Sequence, residues 1–213
     1  MLTKTVQTPR GVEVILAYRE ETTDLSTIGS TFRLWGNLVD EYGLFGIHSE
    51  GHLIDVGAHI GSVAIAFLLD NPKARATAIE PFTENIEVMR MNAEGCGVID
   101  RLTIVQGAIG TDTVAFGPDV HRWIGNIRGG TDGSRTVPTV RLRDYLPADI
   151  VKIDCEGCEY AALPDLKKVP QIIGEYHHMG PEPIVKALGR THELLIDSTD
   201  TGQFRAAAKV PHG

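Results

Sequence analysis

Two short runs in the last third of the chain concentrate groups that bind and release protons. The first is Asp154-Cys155-Glu156-Gly157-Cys158-Glu159 and the second is Glu175-Tyr176-His177-His178. Three acids within six residues repel one another unless a cation, a proton or a ligand holds them together. A histidine titrates near neutral pH, so His177 reads as a general base, with Glu156 and Asp154 beside it in catalytic roles. The plainer readings are a helix cap for Asp154, a helix-start charge for Glu156 and surface positions for His177 and His178. Glu159 reads as one half of a structural ion pair, with Lys152 or an arginine. Asp154, Glu156 and Glu175 also offer the oxygen ligands of a Mg²⁺ site that would orient and acidify a diol. Cys155 and Cys158 make a C-x-x-C. A zinc site would need two further ligands, for which His177 and His178 are the attractive pair, and a redox site would need a thioredoxin-like helix start. Three cysteines are too few for a disulfide scaffold, and this pair is read as buried and inert.

A second constellation lies upstream, in Leu53-Ile54-Asp55-Val56-Gly57-Ala58-His59-Ile60-Gly61. An apolar run, a turn framed by two glycines and an apolar helix form the crevice at which open α/β sheets bind ligands. A dinucleotide loop reads G-x-G-x-x-G and cradles a pyrophosphate on backbone N–H groups. Here Asp55 stands at the first glycine position and the spacing is D-x-G-x-x-x-G, which repels a pyrophosphate and suits a ligand bearing an ammonium group. Glu80 follows Gly61 by nineteen residues and closes the next strand, where an acid accepts both hydroxyls of an adenosine ribose. Adenosine with an amino-acid tail is S-adenosylmethionine. Its expected contacts are Asp55, Gly57, His59, Ile60 and Gly61 in the loop, Glu80 and Pro81 after the second strand, Gly107 and Ala108 after the third, and Asp154 at the site entrance.

These groups need a sheet to position them. Strands are expected at 52–56, 74–79, 102–105, 150–153 and 171–176, with helices at 61–69, 83–94, 160–168 and 183–188 between them. This alternation gives right-handed βαβ crossovers and a parallel sheet. Two last strands, 193–196 and 204–210, are joined by a turn-rich segment and read as a hairpin, so one strand runs antiparallel. Before the alternating part, residues 12–18 read as a strand. Asp24 caps a helix carrying Ile28, Phe32, Trp35 and Leu38. Residues 107–138 break the rhythm and read as a lid or insertion with Trp123 and Ile124 as apolar anchors, and 136–140 as an edge strand. A short helix is expected at 141–146. The division is an extension at 1–50 packed on a ligand-binding domain at 51–213.

Ile54-Asp55-Val56-Gly57-Ala58-His59-Ile60-Gly61, Ile79-Glu80-Pro81, Val151-Lys152-Ile153-Asp154-Cys155-Glu156-Gly157-Cys158-Glu159 and Gly174-Glu175-Tyr176-His177 resemble the signature blocks of FkbM-type S-adenosylmethionine-dependent methyltransferases. The K-I-D-x-E-G-x-E block is the most specific of them. The resemblance implies a Rossmann-like class I methyltransferase fold, a seven-stranded sheet ending in a hairpin, and methyl transfer, usually to an oxygen of a sugar, polyketide or similar small molecule. His59 stands where asparagine is commoner, and both cysteines replace apolar positions of the block.

Composition narrows the partners. A net charge of −8 disfavours nucleic acid, and no apolar stretch reaches membrane-span length. No signal peptide is recognisable, and a cytoplasmic protein with a small-molecule partner is expected. A nicotinamide-dependent oxidoreductase shares the fold but conflicts with Asp55. A non-catalytic methyltransferase-like subunit predicts damaged cofactor positions, and none is visible.

Overall fold

The computed structural model describes residues 1–110, 114–116, 135–177, 179–196 and 202–210. Trp123, Ile124, His178 and most of the expected lid lie outside them, as does the turn at 197–201. The chain opens with β1 (Leu2–Gln7) and β2 (Glu13–Tyr18), an antiparallel pair. Only the second strand is legible from residue pattern. The turn that adds the first uses Gly11 at φ +91°, with Thr8 and Val12 exchanging hydrogen bonds. The Asn92 amide donates to Ala17 O (3.1 Å) and accepts from Ala17 N (2.7 Å), acting as a strand partner that ties the hairpin to the core.

Helix α1 (Asp24–Thr31) is shorter than its apolar spacing suggests. Leu34 and Asn37 exchange backbone hydrogen bonds around Trp35 and Gly36, both left-handed, and this turn leaves Trp35 exposed. Asp24 is the first helical residue, not a cap. Its buried carboxylate receives the backbone N, Nε and a terminal nitrogen of Arg19.

From residue 52 the alternation is as expected: β3 (His52–Val56), α2 (Ser62–Asp70), β4 (Arg75–Glu80), α3 (Thr83–Gly95) and β5 (Leu102–Gln106). Short strands follow: β6 (Ala108–Ile109), β7 (Val114–Phe116), β8 (Arg135–Val137) and β9 (Thr139–Val140). The single edge strand expected at 136–140 is thus split at Pro138, its halves pairing with β7 and β6. The chain ends with β10 (Ile150–Ile153), α4 (Glu159–Leu166), β11 (Gln171–Tyr176), α5 (Glu182–Leu188), β12 (His192–Ile196) and β13 (Gly202–Ala208).

Seven strands form the main sheet in the order β12-β13-β11-β10-β3-β4-β5, parallel except for β13, which runs antiparallel to both its neighbours. The expected C-terminal hairpin is present, and its second strand slots in beside β11. Each face of the sheet carries an apolar layer. One contains Ile28 of α1 and Phe32 just after it with Ile65, Phe67 and Leu68 of α2. The other contains Leu163 and Leu166 of α4 with Ile184 and Leu188 of α5. Strand order reverses between β3 and β10, so their carboxyl ends frame the crevice in which such sheets bind ligands. Among the described residues no helix is long and apolar enough to cross a membrane.

Candidate active site

The loop after β3 is built for close packing. Gly57 takes φ +71°, and a Cβ there would lie 1.8 Å from Asp154 O, so only glycine lets the ends of β3 and β10 meet. Gly61, at φ +81°, packs against the side chain of Met89, 2.5 Å from where a Cβ would lie. The amides of Gly57 and Ala58 both donate to Ile79 O, and His59 N donates to Glu80 Oε2 at 2.8 Å. These three donors point into the sheet. These three cannot cradle a pyrophosphate, which counts against the nicotinamide reading.

Asp55 is fully buried and lies 3.2 Å from Lys152 Nζ, with Ala64 N as a further donor. The two charges face each other because Asp55 and Lys152 are register partners on β3 and β10. Lys152 also donates to Gly57 O and stacks 5.1 Å from the Tyr42 ring. Asp55 therefore shapes the loop and does not present its carboxylate to a ligand, and Lys152 pairs with it instead of with Glu159. Ile60 is likewise a core residue, fully buried.

The Glu80 carboxylate accepts from His59 N, Phe82 N and Asn85 Nδ2. Those bonds use three of its roughly four acceptor positions. It can take one ribose hydroxyl, where two were expected. Gly107 N donates to Glu80 O, so Glu80, Pro81, Gly107 and Ala108 gather where β4 and β5 end. Burial pushes the Glu80 carboxyl up to about 7 against the pull of those donors. A pKa raised above the unfolded value means the folded chain holds the extra proton, so stability is lost as pH rises from about 4.5 through 7. Over that window wild type should lose up to about 3 kcal/mol more than Glu80→Gln, read from urea denaturation at a series of pH values. Parallel pH profiles would show that Glu80 does not titrate there.

A cleft of about 280 Å³ opens between α1 and the ends of β3, β10 and β11. His59 sits on its wall at φ +51°, a conformation asparagine tolerates better. Burial pushes its imidazole down to about 4, so it is neutral; Nε2 meets Thr23 Oγ1 at 3.2 Å and buried Nδ1 has no partner. Opposite lie Glu41, Asp154, Glu156 and Glu175. Tyr42 donates to Asp154 Oδ2 at 2.8 Å, and burial beside Asp154 raises its phenol, keeping it a donor. Residue pattern gave no hint of Tyr42 or of the hydroxyls that α1 lays along the cleft.

His177 is the centre of the acids. Its Nε2 lies 3.6 Å from Glu175, 3.8 Å from Glu156 and 3.9 Å from Asp154, and its Nδ1 lies 3.3 Å from Glu159. Glu159 also accepts from His177 N and Gly157 N, so it is a structural residue whose partner is the histidine. Burial favours the neutral ring, but the Glu159 bond and the charges of Glu156 and Asp154 outweigh it and raise the pKa to about 9. At neutral pH His177 already holds its proton, which corrects its assignment as the resting base. Burial, then Asp154 and Glu41, push Glu175 up to about 7. The compact ligand-type group among the described residues is Asp154, Glu175 and His177, not the Asp154–Glu156–Glu175 set expected for a metal.

Cys155 and Cys158 are joined by a disulfide, and only Cys96 is free. This corrects the expectation of inert thiols. Left-handed Glu156 and Gly157 turn the chain back so that the two Cα atoms lie 5.5 Å apart, directly before α4.

A doubly wound sheet with an antiparallel penultimate position, a glycine loop at the switch point and acids beyond the neighbouring strands define a Rossmann-like methyltransferase architecture. A profile of the methyltransferase FkbM domain matches residues 55–197, and the chain belongs to that family. No curated protein matches it. Among solved structures it is similar to the C-terminal domain of precorrin-6Y C5,15-methyltransferase from Rhodobacter capsulatus (19% identity over 78% of this chain and 85% of that one, TM-score 0.50). It is also similar to a conserved hypothetical protein of Streptococcus pyogenes (14%, 82% and 96%, 0.52). An RNA methyltransferase from Salinibacter ruber in complex with S-adenosyl-L-homocysteine aligns at 16% identity over 82% and 91% of the chains, with a TM-score of 0.46. At these identities the likeness concerns the fold.

Proposed function

We propose that this protein transfers the methyl group of S-adenosylmethionine to a hydroxyl oxygen of a small, unphosphorylated molecule. The observation that carries the reading is the cleft in which the glycine loop of β3 meets the acids that follow β10 and end β11. The residues present fit the cofactor. Gly57, Ala58 and His59 leave room beside Asp154 for the amino-acid end, the orphaned His59 Nδ1 offers it a polar contact, and Glu80 keeps one acceptor position for the ribose. An acid-rich wall also suits a ligand carrying both a sulfonium and an ammonium group. Bound there, the cofactor supplies a methyl carbon open to in-line displacement.

The chain's own task is to align the acceptor and take its proton. With His177 already protonated, a carboxylate must do the latter. Glu156 lines the cleft and has the most accessible side chain of the four carboxylates around His177, 25% exposed. It accepts the hydroxyl proton, while Asp154, held by Tyr42, and protonated His177 position the group. A hydroxyl is a weak nucleophile until its proton leaves, which favours oxygen as the acceptor atom. The same acids repel a phosphodiester backbone, which argues against nucleic acid.

The test is release of S-adenosylhomocysteine from S-adenosylmethionine with a panel of polyols and their amino counterparts. Hydroxyl acceptors should be methylated. Glu156→Gln should slow turnover by at least about 100-fold and leave S-adenosylhomocysteine affinity within about twofold. Methylation confined to nitrogen or carbon would overturn the oxygen assignment.

A further inference from the structure

We propose that Asp154, Glu175 and His177 form a site for one divalent cation of the manganese–magnesium class, open toward the cleft. Each residue offers one ligand atom, and the three atoms lie within 4.8 Å of one another. His177 Nε2 is 3.9 Å from Asp154 Oδ1 and 3.6 Å from Glu175 Oε2. Neighbouring ligand atoms around an octahedral ion at about 2.1 Å lie roughly 3 Å apart, so the two histidine distances need to close by about 1 Å or less and the two carboxylates by about 2 Å at most.

The framework suits that contraction. Asp154 and Glu175 sit at the ends of adjacent parallel strands, where Ile153 and Gly174 are register partners. A Cβ at Gly174 would lie 2.4 Å from Ile153 O, so glycine there lets the strands come this close. Tyr42 occupies Asp154 Oδ2 and leaves Oδ1 toward the histidine. Glu159 holds the Nδ1 side of the ring, which turns Nε2 toward the other two ligands, the outer-shell arrangement of metal-bound histidines.

Charge and unmet hydrogen bonding point to an occupant. Asp154, Glu156, Glu159 and Glu175 all converge on one imidazole, and Lys152, the nearby lysine, is paired with Asp55. A divalent cation bound there takes the place of the proton on His177 Nε2 and sets two positive charges beside these carboxylates. Across the same cleft, Thr31 Oγ1 and His59 Nδ1 belong to residues 1% and 8% exposed, and neither atom has a hydrogen-bond partner. Both residues line the cleft onto which the triad opens. A cation at the triad leaves coordination positions for two hydroxyls of a polyol entering that cleft. Two carboxylates with one imidazole suit Mn²⁺ and Mg²⁺ better than a thiolate-rich set would, and the disulfide leaves Cys155 and Cys158 unable to compete.

The site stands on geometry alone; its use in orienting an acceptor rests on the methyl-transfer reading. The full chain, stripped with chelator, is titrated with MnCl₂ while free Mn²⁺ is counted by electron paramagnetic resonance. One Mn²⁺ per chain is expected. His177→Gln and Glu175→Gln should each weaken it at least 30-fold, and exposed Glu50→Gln should change nothing. Should the variants not fold, ¹⁴N modulation in the electron spin echo of the wild-type Mn²⁺ complex reports the imidazole directly. No stoichiometric Mn²⁺, binding unchanged in both variants, or no nitrogen coupling would overturn the site. S-adenosylhomocysteine is titrated separately: a chain that binds it but fails to bind Mn²⁺ loses the metal site and keeps the methyl-transfer reading, and a chain that binds Mn²⁺ but not S-adenosylhomocysteine does the reverse.

Discussion

Gly57→Ala is expected to cost about 4 kcal/mol or more of folding stability and to abolish cofactor binding. Two effects add. A non-glycine residue at φ +71° pays about 1–2 kcal/mol for the left-handed backbone. The new methyl would also lie 1.8 Å from Asp154 O and 3.3 Å from Cys155 Cα. Both contacts are to backbone, so no side chain can swing away. The ends of β3 and β10 must separate, and with them the loop and the acids. Gly97→Ala provides the control: φ is +67° there, but the position opens on free space, so the loss should be only about 1–2 kcal/mol. Urea denaturation of the two variants decides the matter. Equal, small losses would mean the junction is soft.

Lys152→Met should destabilise the fold by about 3–5 kcal/mol, because it strands the Asp55 carboxylate, fully buried, without its cation. Methionine keeps most of the lysine's volume, so packing is a minor part of the loss. Asp55→Asn combined with Lys152→Met should recover most of it, since a buried ion pair is worth little more than a neutral replacement. A double variant as unstable as the single one would show that Lys152 acts through Gly57 O and Tyr42 instead.

That ion pair shows what residue pattern can and cannot carry. The runs Ile54-Asp55-Val56 and Val151-Lys152-Ile153 each read as a buried strand with one charge inside. Nothing local says that β10, not β4, lies beside β3 on that side, or that the register sets 55 against 152; the sheet decides both. Alternation of apolar runs with helices therefore sufficed for the sheet, its switch point and the C-terminal hairpin. It failed where structure rests on turns, as at Gly11 and at Trp35-Gly36, which added a strand and shortened α1.

The site was legible to the same depth. The loop and the acids announce themselves by spacing. What each does depends on neighbours brought in from elsewhere: Lys152 takes Asp55, two backbone amides and Asn85 take most of Glu80, and Glu159, Glu156 and Asp154, from a separate run, keep the proton on His177. The C-x-x-C shows the same limit. Its spacing is plain, but its bonding follows from the left-handed turn at Glu156 and Gly157. Asp154 keeps the place at the cleft first read for it, as do Gly57, His59 and Glu156, and Tyr42, which fixes Asp154, comes from more than a hundred residues away.

Calorimetric titration of the purified chain with S-adenosylmethionine, S-adenosylhomocysteine and NAD⁺ tests the central claim most directly. One site is expected for each of the first two, with affinity lost in Gly57→Ala, and no heat with NAD⁺. Binding of NAD⁺ with no response to either S-adenosyl compound would contradict that claim.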